Sequence, residues 1–139
     1  MGSYLIEEAG MGRGDLKSPG ENLKTLIAEL MVSGLPLNHH SPAYANALNV
    51  KSGPGYLLGF TVYSSNVAAQ FIQVHDKQTA PSSGDVPCLV VTVAATANLA
   101  VYFNTPGRSF LYGIQIVNSS TGPTYTAGAA DTFFDAQFI

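Results

Sequence analysis

The sequence predicts an all-β domain, an antiparallel β-sandwich or barrel of about six to eight strands, preceded by an extended N-terminal arm with one short helix. Two observations carry the β assignment. From Ala47 onward apolar and polar side chains alternate with a two-residue period, and turn signals rich in Gly, Pro, Asn and Ser interrupt them at close spacing. A third observation separates the arm. Glycines at positions 2, 10, 12, 14, 20 and 34 punctuate the first part of the chain, where that alternation is missing. The expected organisation is therefore an arm over residues 1–45 and a β-sandwich domain over 46–139.

Within the arm, Ser18 suits an N-cap, Pro19 the first helical position, and Glu21 completes a capping box. Leu23, Leu26, Ile27, Leu30 and Met31 then recur at helical spacing until Gly34 and Pro36 end the run. A helix is expected over 19–32. Four turns with a narrow apolar stripe are marginal in water, so this helix needs a surface to pack on. It either covers part of the β domain or reaches onto a neighbouring subunit.

A first β run, Ala47 to Ser52, ends at the turn signal Ser52-Gly53-Pro54-Gly55. The next stretch, Gly55 to Asp76, is the centre of the reading. Leu58, Phe60 and Val62 oppose Leu57, Thr61 and Tyr63; after a polar link, Phe71, Gln73 and His75 oppose Ile72 and Val74. With Ser64, Ser65 and Asn66 between them, the two runs read as a β-hairpin or its close equivalent. Beyond the loop Thr79 to Asp85, strands follow at Pro87 to Val93 and Ala97 to Phe103. One continuous run, Phe110 to Val117, alternates Phe110, Tyr112, Ile114 and Ile116 against Leu111, Gln115 and Val117. The last strand begins at Thr124 or, with the better pattern, near Thr132. Because most runs keep a polar side, strands buried on both faces are not expected.

Composition bounds function. Only 11% of residues are charged, against a hydrophobic fraction of 46%, and from Ala47 onward the charges are Lys51, Lys77, Arg108, Asp76, Asp85, Asp131 and Asp135. So sparse a charge suits a domain packed against other protein. A net charge of −3 without a basic cluster argues against nucleic acid. The start of the chain lacks the pattern of a signal peptide or membrane span, which suggests synthesis and retention in a cytoplasm. Cys88, the one cysteine, leaves no intrachain disulfide or cysteine zinc site and, within PCLVVTV, reads as a buried, inert thiol.

No pattern carries catalysis, and no cofactor or metal is expected. His39 and His40 are neighbours whose side chains point to opposite sides of an extended segment, and His75 lies far along the chain. Asp131 and Asp135 read as solvated acids rather than an active pair. Ser64, Ser65, Ser119 and Ser120 lack a nucleophile elbow. Arg13-Gly14-Asp15 matches an adhesion tripeptide that chance readily produces, and Asn118-Ser119-Ser120 matches a glycosylation pattern that only a secreted eukaryotic protein would use.

The stretch FTVYSSNVAAQFIQVHD, followed by VPCLVVTV, ANLAVYF and GRSFLYGIQIVNSSTGPTYT, resembles a small β domain found among virion proteins of tailed bacteriophages. The likeness covers about residues 55–126. It lies in the Ser-Asn after the first strand, the Ala-Gln and aromatic opening the second, Gly107-Arg108, Gly113-Ile114 and the Asn-Ser-Ser-Thr loop, with a weaker echo at 135–137. It implies a structural, non-enzymatic role: a capsid decoration or cement protein on the outer surface of a phage head, acting as a homotrimer, with the major capsid protein as partner and neither nucleic acid nor membrane. On that reading the capsid or subunit contacts fall to Leu5, Ile6, Leu23, Leu26, Ile27, Leu30 and Met31, apolar groups in a segment without its own core. The competing expectation is a tail, baseplate or fibre module binding a host receptor or saccharide. A further alternative is an enzyme-associated carbohydrate-binding sandwich, in which Tyr63, Tyr102, Tyr112 and Tyr125 would supply stacking rings.

Overall fold

The computed structural model describes residues 22–24 and 34–139. The chain divides into two units, Met1–Leu35 and Pro36–Ile139. In the first, residues 22–24 are helical, within the helix expected over 19–32, and Leu23 is exposed. The rest of that helix, and with it Leu5, Ile6, Leu26, Ile27, Leu30 and Met31, lies outside the described residues, as does Arg13-Gly14-Asp15.

The second unit holds nine strands: β1 (Leu37–His40), β2 (Ala47–Lys51), β3 (Gly55–Ser64), β4 (Gln70–His75), β5 (Leu89–Val93), β6 (Asn98–Tyr102), β7 (Arg108–Phe110), β8 (Ile114–Ser119) and β9 (Thr132–Phe138). They form two antiparallel sheets. One runs β1-β9-β3-β6, with β7 on the other end of the long β3; the second runs β2-β8-β4-β5. Leu57, Phe60, Val62, Phe134 and Ala136 of the first sheet meet Leu48, Val50, Ile72, Val74, Ile114 and Ile116 of the second in one apolar core, the arrangement of a sandwich. All but Leu57 follow the alternation of their runs; Leu57 turns inward beside Phe60 and Val62 because the register shifts between Leu57 and Gly59.

Five expectations change. The runs around residues 55–76 are not a hairpin: β3 pairs with β9, β6 and β7, while β4 pairs with β5 and β8. Residues 65–69 carry the chain from one sheet to the other. The polar link does turn locally, with the Ala68 N–H donating to Asn66 Oδ1 at 2.7 Å, but it is tied to the entrance of β9: Asn66 Nδ2 donates to Asp131 Oδ2 at 2.8 Å and Ser65 Oγ donates to the Asp131 carbonyl at 2.9 Å. Crossing between sheets still gives both runs the core they need, which is why alternation alone did not distinguish an arch from a hairpin.

The run from Phe110 to Val117 is two strands in different sheets, broken at 111–113. There the Asp76 carboxylate accepts the N–H groups of Leu111, Tyr112 and Gly113 over 2.8–3.3 Å. A Cβ on Gly113 would sit 2.3 Å from the Lys77 carbonyl oxygen, so only glycine fits the corner.

β8 is buried at every position and β4 at all but one, contrary to the expectation of a polar open side. The chain after β8 folds back over them. Gln73 Nε2 donates to the carbonyls of Thr121, Gly122 and Thr124 at 2.8–3.0 Å, and Ser119 Oγ donates to the Thr121 carbonyl at 2.8 Å. Tyr125 exchanges backbone hydrogen bonds with Gly84 and Asp85 of the neighbouring loop. A polar residue on a strand thus marks a face closed by loop backbone as readily as one open to water.

Finally, Cys88 is exposed rather than buried, because β5 begins after it. Its Sγ donates to the Val74 carbonyl at 3.2 Å, and desolvation at the sulfur outweighs nearby Arg108 to hold the thiol above its ordinary pKa. It is not activated. β1, at 37–40, adds an edge strand to β9 from residues assigned to the arm.

Candidate binding face

With β4 and β8, the centre of the second sheet, covered on both sides, the outer face of β1-β9-β3-β6 is the broad face left open. The cross-strand register lays it out in three rungs. Asn38, Gln137, Gly59 and Tyr102 form the first; His40, Asp135, Thr61 and Ala100 the second; Phe133, Tyr63 and Asn98 the third. Tyr44, on the connection to β2, stacks on Phe133 with ring centroids 4.2 Å apart. Successive rungs stand two residues apart, about 6.6 Å along the strands. Aromatic rungs therefore flank a low middle rung of Thr61 and Ala100.

That relief makes a cleft of about 630 Å³ bordered by His40, Thr61, Tyr63, Asn98, Phe133 and Asp135. A smaller hollow of about 150 Å³ adjoins it across Thr61 and Asp135, reaching Tyr102 and Gln137. Gly59 shapes that end: a Cβ there would fall 2.8 Å from both Tyr102 Cδ1 and the Val101 carbonyl oxygen, so its absence lets the Tyr102 ring lie across the strand. Asn38 Nδ2 donates to Asp135 Oδ1 at 2.9 Å. The side chains of His40, Thr61, Tyr63, Asn98, Tyr102 and Gln137 make no hydrogen bond among the described residues. No Lys or Arg borders either hollow, and Asp135 is the only acid there.

The other sequence candidates scatter. Tyr63 and Tyr102 share the open face, whereas Tyr112 is exposed on the 111–113 corner and Tyr125 is buried, its ring edge-on to His75 at 5.8 Å; Tyr125 is not a stacking platform. His40 faces the cleft, His39 alternates to the opposite side of β1, and His75 is buried in the other sheet. Asp131 is not a solvated acid: Asn66, Gln70, Asn118 and Thr132 all donate to its carboxylate. Asn118 itself is fully buried with its amide donating to the Ala129 carbonyl, so it is not a glycosylation acceptor in the folded protein. Phe133, Asn98, Thr61 and Gln137 escaped sequence reasoning as site residues. The available signal was Phe133 at the same strand parity as Asp135 and Gln137, an aromatic ring on a polar face.

No family model, curated protein or solved structure matches this chain.

Proposed function

We propose that the chain is a structural virion protein, a capsid decoration or cement protein that binds the outer surface of a phage head as a homotrimer and stabilises capsomer junctions. The observation that carries this reading is the surface of the β unit. Val67, Val86, Leu111, Tyr112 and Leu37 are exposed in a unit whose charges number seven, Lys51, Lys77, Arg108, Asp76, Asp85, Asp131 and Asp135. Such a surface supports life in an assembly, since protein contacts are depleted in charge. The resemblance to phage virion domains supports it further.

The physical logic is linkage. Three β units meeting at a junction of capsid subunits would present three arms to the surrounding seams. Once one contact forms, the others become intramolecular, and avidity rises without strong individual contacts. Anything that binds the assembled shell and not its parts stabilises the shell by mass action. The arm residues Leu23, Leu26, Ile27, Leu30 and Met31, with Leu5 and Ile6, are the proposed grip on the major capsid protein.

The test is co-sedimentation of the full chain with expanded, undecorated heads of the phage that encodes it, with copy number measured on the pelleted shells. Saturation at a fixed ratio to the capsid protein, and its loss when Leu26 and Ile27 both become Asp, is the expected result. Absence of the wild-type chain from the pellet would overturn the reading.

A further inference from the structure

We propose that the cleft on the open face is a binding site for a neutral saccharide, with an uncharged pyranose lying against the Tyr63 and Phe133 rings. The inference does not rest on the capsid reading.

A pyranose has two chemistries at right angles. Its C–H faces are apolar and stack on aromatic rings, while its hydroxyls, around the rim, both donate and accept hydrogen bonds. A site for it needs rings beside mixed polar groups. The third rung provides Tyr63 and Phe133, with Tyr44 packed on Phe133 at a centroid distance of 4.2 Å. The second rung provides His40, Asp135 and Thr61, and Asn98 closes the row beside Tyr63. Asn38 occupies Asp135 Oδ1 and leaves Oδ2 without a partner among the described residues.

The opposite sheet differs. There the outward polar groups Gln73, His75, Gln115 and Ser119 are spent on one another or on loop carbonyls. On the open face a comparable set makes no such bonds, beside rings and around a hollow within the size range of small-ligand clefts, roughly 300–1,000 Å³. Charge selects the class. With no Lys or Arg at the border and Asp135 present, a phosphorylated, sulfated or sialylated ligand meets repulsion rather than a counter-charge. A proline-rich peptide would use the rings but leave Asp135 without a donor.

The experiment is a two-dimensional NMR titration of the ¹⁵N-labelled full chain with methyl glycosides of glucose, galactose, mannose and N-acetylglucosamine, with cellotriose and maltotriose, and with sialyllactose and decaproline as the charged and peptide probes. Expected are saturable shifts from at least one neutral sugar at the Thr61, Asn98, Ala100, Phe133 and Asp135 amides, and none from sialyllactose or decaproline. Tyr63→Ala and Asp135→Ala should each weaken binding by about tenfold or more, as should Ala100→Phe, which fills the cleft floor without removing any group; Tyr112→Ala should not. Retained spectra establish that the variants fold. Absence of shifts with every neutral probe, shifts that survive Ala100→Phe, or binding by decaproline instead would overturn the assignment. Head association, read separately by sedimentation, is unaffected by either result.

Discussion

Gln73 Oε1 and His75 Nε2, two residues apart on β4, lie 2.9 Å apart on a face closed to water. The tautomer follows from the amide. Gln73 Nε2 is spent donating to three carbonyls of the 121–124 loop, so Oε1 accepts and the imidazole carries its proton on Nε2. The pair therefore joins a strand, a loop and the Tyr125 ring, and it is what closes the second sheet.

Gln73→Ala removes the donor that holds three loop carbonyls and leaves His75 Nε2 unpaired. A loss of about 2–3 kcal/mol is expected, read as a lower urea midpoint, with faster amide exchange over 120–126. Unchanged stability would mean that the loop is held by its backbone bridges alone.

The same burial sets a pH dependence. Desolvation dominates at His75 and holds its pKa below the ordinary 6.5, against a raising field from Asp85 and with a further lowering by Lys77. Below 6.5 the unfolded chain takes up a proton that the folded chain refuses, so stability is fully present above that pH and falls as pH drops through it toward the folded pKa. The slope is at most about 1.4 kcal/mol per pH unit. His75→Gln, which keeps a donor, should flatten the limb between pH 6.5 and 5; an identical slope in both proteins would discard this origin.

At the 111–113 corner, desolvation pushes the Asp76 carboxyl up, yet the donations from Leu111, Tyr112 and Gly113 outweigh it and leave the pKa below 3.8. Stability from this contact is present above 3.8 and is lost as pH falls through the folded value. Asp76→Ala should cost about 1–2 kcal/mol at pH 7 and should loosen Tyr112 amide protection. Equal protection in the variant would show that Gly113 alone shapes the turn.

Gly59→Ala places a methyl 2.8 Å from the Tyr102 ring and from the Val101 carbonyl. The ring must swing off the strand and β6 must shift, at a cost of about 1–3 kcal/mol. Crystal structures of the variant should show a wider hollow between Thr61 and Gln137; an unmoved Tyr102 would contradict the packing.

The proposed homotrimer is tested by light scattering of the full chain after size exclusion. A mass of three chains is expected, and a monomer at high concentration would restrict trimerisation to the capsid surface or exclude it.

Alternation in the sequence determined where most strands lie and which side chains turn inward. Phe60, Val62, Ile72, Val74, Ile114 and Ile116 reach the core on the shared parities of their runs, because a strand's two faces are a local consequence of backbone geometry, whereas Leu57, of the opposite parity, joins them across the register shift between Leu57 and Gly59. Sheet membership is not local. Whether β3 turns back on β4 or crosses over to leave β9 as its neighbour is decided by contacts some 70 residues apart in sequence, such as Thr61 beside Asp135, and by Asp131 gathering Asn66, Gln70 and Asn118 at one end. The fate of the polar parity was equally hidden. Gln73 and Thr61 are both polar residues at alternating positions, yet loop carbonyls bury one while the other floors an open cleft. Only the tertiary structure, by sending the chain after β8 over one sheet and not the other, decided which set of side chains remains available to a ligand.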